Sequence, residues 1–532
     1  MSVALSGVIS WCRRHGLLAL ALVVSAAFAC RSLLLIGATS LWRDELSTAY
    51  KVYELSLPSL LTYLGSDSHP PLYYVLHWFL GRQLAPTAFL LRVVSWLAYA
   101  AGGVLMAVQA FRLARASGLR RPDRALALAL LLAFTTPFPV RFSIEAKGYA
   151  LLVAWLALAL LCRQGVLLAG RRPRAPVFVG YGLALSLAAS THYYGLFYAA
   201  ALLLLDGWLA LRRRVSPDGR RWALAVAAGL AMLPVGGWIL FAVNGADAGR
   251  ATSWIGMPEF GLLEDVLARF LGPWPLPKLI VALTLLVWLQ RSGRLSWQGH
   301  AALSHPSGAS ASDLRWLDVS GLQAGLLMSA GVLTVSFWKP IAFARYFIVL
   351  LPPLVVWLSC QVARIEPQGR RLRLLLSVGL SLWLLLGWSQ SFLGLTRSGS
   401  QPGPRENSNY RAVALAAAPW RERYSLTPRH LTTMDRLLAA EGLLPVGREP
   451  WRPIRELTDA AAGRPPVLPA EAFVVAATGG ESLLERKFQP FIDRLRARAV
   501  RCEAVGAVQP NVHVLVCQGP QARDAQQAPF RP

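Results

Sequence analysis

The chain has few charged residues, and acidic ones are the scarcest. Only 15% of its 532 residues are Asp, Glu, Lys or Arg, whereas 55% are hydrophobic. A soluble globular protein carries about 25% charged residues. This composition therefore excludes an ordinary soluble protein and places the chain in a lipid bilayer.

The shortage of acidic residues leaves a formal net charge of +26. Such a charge is typical of nucleic-acid-binding proteins when it forms a basic face on a soluble module. Here the arginines lie between long apolar runs, which argues against a nucleic-acid partner. They instead indicate the orientation of the chain in the membrane.

Several common motifs are also missing. The sequence has no glycine-rich nucleotide loop, no zinc motif, no serine-nucleophile elbow and no internal repeat, which argues against a soluble nucleotide-sugar as substrate. Cysteine is scarce as well. Four of the six cysteines lie in or beside apolar runs, where they behave as small apolar side chains: Cys12, Cys30, Cys162 and Cys360.

Eleven apolar runs are long enough to cross a bilayer core of about 30 Å. The first has no evident signal-peptidase site and many others follow it, so we interpret it as a retained helix. The predicted spans are 17–37, 88–111, 125–141, 145–162, 176–191, 194–211, 222–243, 276–290, 319–338, 345–362 and 373–393.

A short apolar helix predicted at 70–82 decides the topology. If it lies along the interface, one side of the membrane receives 23 arginines and five acidic residues, and the other receives eleven basic and nine acidic residues. Because Lys and Arg mark the cytoplasmic side, the first side is expected in the cytoplasm. It comprises the N-terminus and segments 112–124, 163–174, 212–221, 291–318 and 363–373.

The composition becomes polar near residue 393. We predict a membrane domain at 1–393 and a soluble α/β domain outside the cytoplasm at 394–532. Within the latter, 499–509 and 511–518 alternate like two strands joined by a turn at Gln509 and Pro510. This register places Cys502 opposite Cys517, either as a disulfide or as two separate thiols.

Five polar clusters lie at the predicted outer ends of the helices, where ionisable side chains are costly and therefore often functional. Each also has a structural explanation. Asp44 fits a helix cap with Glu45 as a solvated charge, and Arg141 fits an ion pair with Glu145. The clusters are 42–45, 67–74, 141–149, 191–195 and 339–346.

The remaining clusters also have both a functional and a structural explanation. The two prolines after His69 begin a helix, whose first N–H groups would face an anion such as phosphate together with His69. His192, Tyr193 and Tyr194 fit interfacial anchors. Arg345 fits either an anionic partner or snorkelling towards lipid phosphate.

Together these motifs resemble the GT-C membrane glycosyltransferases. The resemblance is to the protein O-mannosyltransferase and aminoarabinose transferase superfamily, glycosyltransferase family 39, especially to bacterial members similar to lipopolysaccharide galacturonosyl- and mannosyltransferases. It is most specific over residues 40–200. The motifs that carry it are Trp42-Arg43-Asp44-Glu45, His69-Pro70-Pro71-Leu72-Tyr73-Tyr74, Leu91-Arg92-Val93-Val94-Ser95, Glu145-Ala146-Lys147-Gly148-Tyr149 and Arg345-Tyr346.

The resemblance implies an all-α polytopic membrane domain of GT-C type, with about 11 transmembrane helices and interfacial helices, and a C-terminal extracytoplasmic α/β domain. It also implies a polyprenyl-phosphate-linked sugar donor, an inverting transfer and Asp44 as the catalytic base. By the same analogy the substrate-binding residues are Glu45, His69, Glu145, Lys147, His192, Tyr193, Tyr194, Arg345 and Tyr346.

Two departures from the family leave the donor sugar open. The family often has Arg where this chain has Lys147, and Lys cannot grip phosphate in a bidentate manner. Aminoarabinose transferases resemble Lys-Pro-Pro where this chain has His69-Pro70-Pro71.

The sequence therefore predicts an inverting glycosyltransferase of the inner (plasma) membrane, acting on an acceptor in lipopolysaccharide, another envelope glycan or a protein hydroxyl. The alternatives are a transporter or flippase of lipid-linked sugars, which the lack of repeats disfavours, and a non-catalytic glycan-binding relative. No cofactor is certain. A divalent metal is left open, since Asp44, Glu45 and His69 offer ligands without a fixed short spacing.

Overall fold

The chain divides into two compact units in a computed structural model, and each unit is described by itself. The helical unit comprises Met1–Leu33, Ser56–Leu76 and Arg92–Ser391, and the mixed unit comprises Leu34–Leu55, His77–Leu91 and Phe392–Pro532. The predicted domain boundary after residue 393 stays a prediction. The structure describes residues 15–67, 69–169, 173–212, 219–244, 255–259, 261–271, 309–364, 378–379, 382, 409–420, 422–454, 469, 471–479, 484–505 and 512–519.

Six helices in the described ranges are long and apolar enough to cross a membrane, so the chain is a membrane protein. Two shorter apolar helices, Ala175–Thr191 and Leu322–Ser336, accompany them. The predicted spans at 276–290 and, apart from three residues, at 373–393 lie outside the described ranges. The six are Gly16–Gly37, Ala88–Ala116, Tyr149–Leu167, Tyr193–Arg212, Arg220–Ala242 and Ala344–Ala363.

Several of these spans are built from more than one helix. Arg220–Ala231 is followed by Leu233–Asn244, and a 3₁₀ segment, Ala344–Leu350, precedes the helix Leu351–Ala363. The further helices are Arg43–Ala49 with a π-helical turn at Tyr50–Glu54, Leu57–Gly65, Leu72–Gln83, Pro122–Thr135, Pro137–Phe142, Gly261–Leu271 and Ala309–Ser320.

Two further predicted spans are also interrupted. The run at 125–141 breaks at Thr136, because Pro137 opens a new helix and has no N–H to continue the old one. The run at 319–338 breaks at Gly321, whose φ of 86° favours glycine. A side chain there would also strike Leu160, since an added Cβ would lie 2.5 Å from its Cδ2 atom.

Small residues let the helices of the helical unit approach closely. An added Cβ on Gly102 would lie 3.3 Å from the Cα atom of Ala154, and one on Gly182 would lie 3.4 Å from the carbonyl oxygen of Ala227. Such contacts are typical of membrane bundles, where lipid tails remove the hydrophobic drive between helices and close packing replaces it.

Four charged side chains form a closed ion network in the same unit: Arg163, Asp206, Arg221 and Asp318. Arg163 is fully buried and donates to both Asp206 oxygens at 2.7 and 2.9 Å, to the Asp318 carboxylate at 2.7 Å and to the Asp318 carbonyl at 2.6 Å. Arg221 pairs with the same two carboxylates. The network thus joins three of the arginine-rich segments expected on one side of the membrane, 163–174, 212–221 and 291–318.

The described residues of the mixed unit contain the strands β1 Glu422–Ser425, β2 Arg452–Pro453, β3 Phe473–Thr478, β4 Arg501–Ala504 and β5 Val512–Gln518. These strands form one sheet in the order β2-β1-β3-β5-β4. β1 pairs in parallel with β2 and β3, whereas β5 is antiparallel to β3 and β4. β3 is central and every residue in it is buried, as its continuous apolar sequence favours.

The helix Gln489–Ala497 closes the core of this sheet through Phe491 and Leu495, which pack with Phe473 and Val475. A π-helical segment, Leu484–Phe488, precedes it, and the helices Tyr410–Ala416 and Pro428–Ala440 also contact strands of the sheet. The predicted α/β character is therefore present in the described part of the C-terminal segment.

The strand register agrees with the sequence prediction. Cys502 pairs with Cys517 across β4 and β5, and the two sulfur atoms form a disulfide. Of the two alternatives, the disulfide is confirmed. The predicted turn at Gln509 and Pro510 lies outside the described residues.

Candidate functional site

Five rings meet in the helical unit, and we call them the ring cluster: His69, Tyr149, His192, Tyr194 and Tyr346. The ring centroids of His69 and His192 lie 5.1 Å apart, and that of Tyr346 lies 4.9 Å from His192 and 5.3 Å from Tyr194. Tyr149 lies 5.6 Å from His192. The cluster thus brings together four of the nine predicted substrate-binding residues. Its fifth member, Tyr149, is the last residue of the motif that begins at Glu145.

Each ring of this cluster stands at or beside an interruption between helices. His69 precedes the helix Leu72–Gln83, and Tyr149 is the first residue of Tyr149–Leu167. His192 is the single residue between two long helices, and Tyr346 lies in the 3₁₀ segment. Because chain breaks leave polar groups at helix ends, the interruptions gather these side chains at one place.

His192 has one nitrogen engaged and one open. Its Nδ1 atom accepts from the Tyr194 N–H at 3.1 Å, as a helix-capping side chain does. This acceptor role assigns the ring proton to Nε2. The Nε2 atom is buried and has no hydrogen-bond partner within the described part of the chain. A buried N–H donor in this state fits an acceptor such as a phosphate oxygen.

His69 is oriented by a neighbouring carboxylate. Its Nδ1 atom lies 3.2 Å from Asp67 Oδ1, and both side chains are largely buried. This contact fixes the orientation of the His69 ring. Asp67, which lies in the predicted cluster 67–74, thus holds the His69 ring.

Glu145 and Lys147 lie in the turn before Tyr149. The Glu145 side chain is buried, with Oε1 3.3 Å from Arg141 Nε, which agrees with the ion-pair alternative. Lys147 is mostly buried, and its carbonyl accepts from the Ser95 hydroxyl at 3.3 Å. Gly148 allows this tight turn, since an added Cβ would lie 3.1 Å from Thr191 Cγ2.

The tyrosines after His192 differ in burial. Tyr194 is buried and donates to the Ile341 carbonyl at 2.8 Å, whereas Tyr193 is half-buried. Interfacial anchors keep their polar ends near water, so the burial of His192 and Tyr194 argues against the anchor alternative for these two.

Arg345 and Tyr346 come from the 3₁₀ segment Ala344–Leu350. Tyr346 is buried in the ring cluster. The Arg345 guanidinium is half-buried and lies 4.6 Å from the Phe343 ring centroid, which holds the cation by its aromatic face.

Asp44 and Glu45 belong to the mixed unit, in the first turn of the helix Arg43–Ala49. The Asp44 side chain is 31% exposed, with Oδ1 3.6 Å from Arg43 Nε. Glu45 is fully buried, and its carboxylate accepts from the Trp42 N–H at 3.2 Å. The interpretation of Glu45 as a solvated charge is therefore wrong, because the carboxylate is buried. It accepts a hydrogen bond from a backbone N–H group at the start of the helix.

The same unit supplies residues that the sequence analysis missed. The helix Pro428–Ala440 contacts Arg43–Ala49. Its Thr433 hydroxyl donates to Glu54 at 2.7 Å, and its Arg429 guanidinium lies 4.7 Å from the Tyr50 ring centroid. Its amphipathic pattern was the only sequence signal.

His430 of this helix is close enough to Arg43 and Asp44 to sense their charges. Burial, and then the cations of Arg43 and Arg429, lower the pKa of His430 to about 4, with Asp44 acting in the opposite direction. His430 is therefore neutral at physiological pH.

The sequence left open whether Asp44, Glu45 and His69 bind a divalent metal. Within the described ranges, no three His, Cys, Asp or Glu side chains are grouped so that they could hold a metal ion.

The sequence matches no protein-family model, and no curated protein matches it. The fold is similar to ArnT from Cupriavidus metallidurans bound to undecaprenyl phosphate, with a TM-score of 0.53 at 15% identity over 95% of this chain and 99% of that one. The apo state of the same ArnT gives a TM-score of 0.52 at 14% identity over 96% and 98%. The chain therefore has the GT-C fold that its motifs predict.

Proposed function

We propose that this chain is an inverting glycosyltransferase that moves one sugar from a polyprenyl-phosphate donor to a hydroxyl outside the cytoplasm. The observation that carries the proposal is the open Nε2–H of His192 within the ring cluster. The shared fold adds support, because that ArnT structure holds undecaprenyl phosphate.

The donor phosphate is assigned to the ring cluster and the cations near it in sequence. His192 donates through Nε2, and His69 lies beside it with its ring oriented by Asp67. Lys147 and Arg345 supply cations. Such groups stabilise the negative charge that develops on a departing phosphate, while Glu145, Tyr193, Tyr194 and Tyr346 shape the donor site.

Asp44 is assigned as the general base. Its carboxylate takes the proton of the acceptor hydroxyl, and the hydroxyl oxygen attacks the anomeric carbon. The bond from that carbon to the phosphate oxygen breaks, and polyprenyl phosphate leaves with the electron pair. One displacement inverts the anomeric configuration. Glu45 holds the helix that carries Asp44 and so positions the base or the acceptor.

The reaction is assigned to the outer face of the inner (plasma) membrane, with the mixed unit's C-terminal segment outside the cytoplasm. The arginine-rich segments joined by the ion network would face the cytoplasm. The acceptor is an envelope glycan such as lipopolysaccharide, or a protein hydroxyl.

The test is mass spectrometry of envelope glycolipids and glycoproteins from a strain that lacks this chain. We expect a missing sugar that the wild-type chain restores. Asp44→Asn keeps the size of the side chain and removes the base, so transfer should fall about 10²–10⁴-fold.

The matched control is Asp493→Asn, an exposed carboxylate of the mixed unit that contacts Arg496 and accepts from the Gln489 amide on the surface. It should restore the sugar fully. Full restoration by Asp44→Asn at equal membrane abundance would refute the assignment of the base. Lipid-sugar movement across vesicles without transfer would favour the flippase alternative.

A further inference from the structure

A cavity of about 340 Å³ opens in the mixed unit, among residues outside the proposed transfer site. Its volume lies in the range of small-molecule sites, about 300–1,000 Å³. One wall follows the helix Tyr410–Ala416, and the other precedes β2. The lining residues are Ala418, Pro419, Trp420, Arg423, Arg448 and Glu449.

Arg423, one of the two arginines in the cavity wall, already forms contacts within the mixed unit. Arg423 is buried, pairs with Asp435 and donates to the Glu449 carbonyl. Its guanidinium also lies 4.9 Å from the Trp451 ring centroid. Arg423 therefore shapes the cavity without offering much to a ligand.

Arg448 is different. Its Nη1 atom is buried and has no hydrogen-bond partner in the part of the chain that the structure describes. Burial, followed by the nearby Arg423 cation, lowers the pKa of Arg448. The Asp435 carboxylate acts electrostatically on both guanidinium groups, but it forms its ion pair with Arg423.

The other lining groups complete a small amphipathic site. Trp420 and Pro419 give an apolar wall, on which one face of a sugar ring can pack. The Glu449 carboxylate is 71% exposed and lies 3.9 Å from Arg452, so it faces that arginine at the rim. An anion in the cavity would form a charge-assisted hydrogen bond with the part of the Arg448 guanidinium that lines it.

We propose that this cavity binds a sugar residue bearing a carboxylate or a phosphate, with the anion on Arg448 and the ring on Trp420. The site is independent of the transfer reaction, so its failure would leave the proposed function untouched. It would let the chain recognise an anionic glycan.

The test is a ligand-detected NMR titration of the full-length chain in detergent, without donor lipid. The probes are glucuronate, glucose 6-phosphate, glucose and inorganic phosphate. We expect at least one of the charged sugars to bind about tenfold more tightly than glucose and inorganic phosphate, since each lacks one of the two contacts. The two charged probes distinguish a carboxylate from a phosphate site.

Variants separate the two contacts. Arg448→Gln should weaken the charged sugar about tenfold and leave glucose unchanged, whereas Trp420→Ala should weaken both sugars. Arg448→Lys keeps the charge and should retain part of the binding, which guards against a misfolded Gln variant. Arg494→Gln, an exposed arginine on the helix Gln489–Ala497, is the control and should change nothing. Equal binding of all four probes, or unchanged binding in Arg448→Gln, would overturn the proposal.

Discussion

Two groups of buried polar side chains occupy the same helical unit, near opposite ends of the same helices. The helix Tyr149–Leu167 carries Tyr149 of the ring cluster at its start and Arg163 of the ion network near its end. The helix Tyr193–Arg212 begins directly after His192 and carries Asp206 further on. Fourteen residues of helix separate Tyr149 from Arg163, which is roughly 20 Å.

The two groups differ in how their hydrogen bonds are met. In the ion network, every arginine contact meets a carboxylate or a carbonyl, and two positive charges face two negative ones. In the ring cluster, the His192 Nε2–H is buried and open. A satisfied network stabilises one helix arrangement, whereas an open buried donor is consistent with the phosphate ligand that we propose.

The largest effect is expected from breaking the ion network. Arg163→Met removes one cation and leaves Asp206 and Asp318 to share only Arg221. Because an uncompensated buried charge is costly, we expect a loss of about 3–5 kcal/mol in stability. The measurement is the fraction of full-length protein that stays monodisperse in detergent after heating.

A double variant distinguishes charge balance from packing. Arg163→Met combined with Asp206→Leu leaves a neutral Arg221–Asp318 pair, so it should recover more than half of the loss. If the double variant is less stable than Arg163→Met alone, the network does not act through charge balance.

Local sequence patterns were enough for much of the fold. The helices near 17–37, 145–162 and 194–211 follow from the length of their apolar runs, since a membrane span needs a minimum length. The Cys502–Cys517 pairing follows from alternation, because a one-residue shift would turn every side chain to the other face. The motifs also named His69, His192, Tyr194 and Tyr346 before the structure brought their rings together.

The missed features all depend on contacts between distant segments. Asp206 stands alone in an apolar run, and its partner Arg163 lies 43 residues away. The structural alternative for Glu45 was a solvated charge, because the sequence does not show how its helix packs, and the side chain is buried. His430 senses the charge of Asp44 nearly four hundred residues earlier in the chain. Hydropathy and spacing carry no information on such pairs.

His430, a half-buried histidine of the mixed unit, also has a buried nitrogen. His430 has its pKa lowered to about 4, and its Nδ1 atom is buried without a hydrogen-bond partner in the described ranges. As the pH falls below about 6.5, the unfolded state takes up a proton before the folded state does. The contribution of neutral His430 to the free energy of unfolding is therefore fully present above that pH and is lost as the pH falls towards 4.

His430→Gln should remove this dependence. Between pH 6.5 and 5 we expect the wild type to lose about 1.5–2 kcal/mol more than the variant. Hydrogen exchange of peptides from the helix Pro428–Ala440 gives the local free energy of opening. The control is His513→Gln, whose pKa is also lowered by burial but which lies in β5. It should leave the slope in this helix unchanged, and an unchanged slope in His430→Gln would contradict the expectation.

The smallest expected effect concerns the open donor of the ring cluster. His192→Asn retains an oxygen that can accept from the Tyr194 N–H, as a capping side chain does, but it removes the Nε2–H. Thermal stability should therefore change little. Binding of undecaprenyl phosphate should weaken about tenfold, the usual order for one hydrogen bond to a charged group.

Two further variants separate the cap from the ligand contact. His192→Ala loses both, so it should cost about 1 kcal/mol of stability in addition to the affinity. Gln109→Met removes a satisfied buried amide that donates to the Ala157 carbonyl at 2.9 Å, so it should lower stability while leaving affinity intact. If His192→Asn lowers stability as much as His192→Ala and leaves affinity unchanged, the donor serves the fold, and the distinction between the two polar groups disappears.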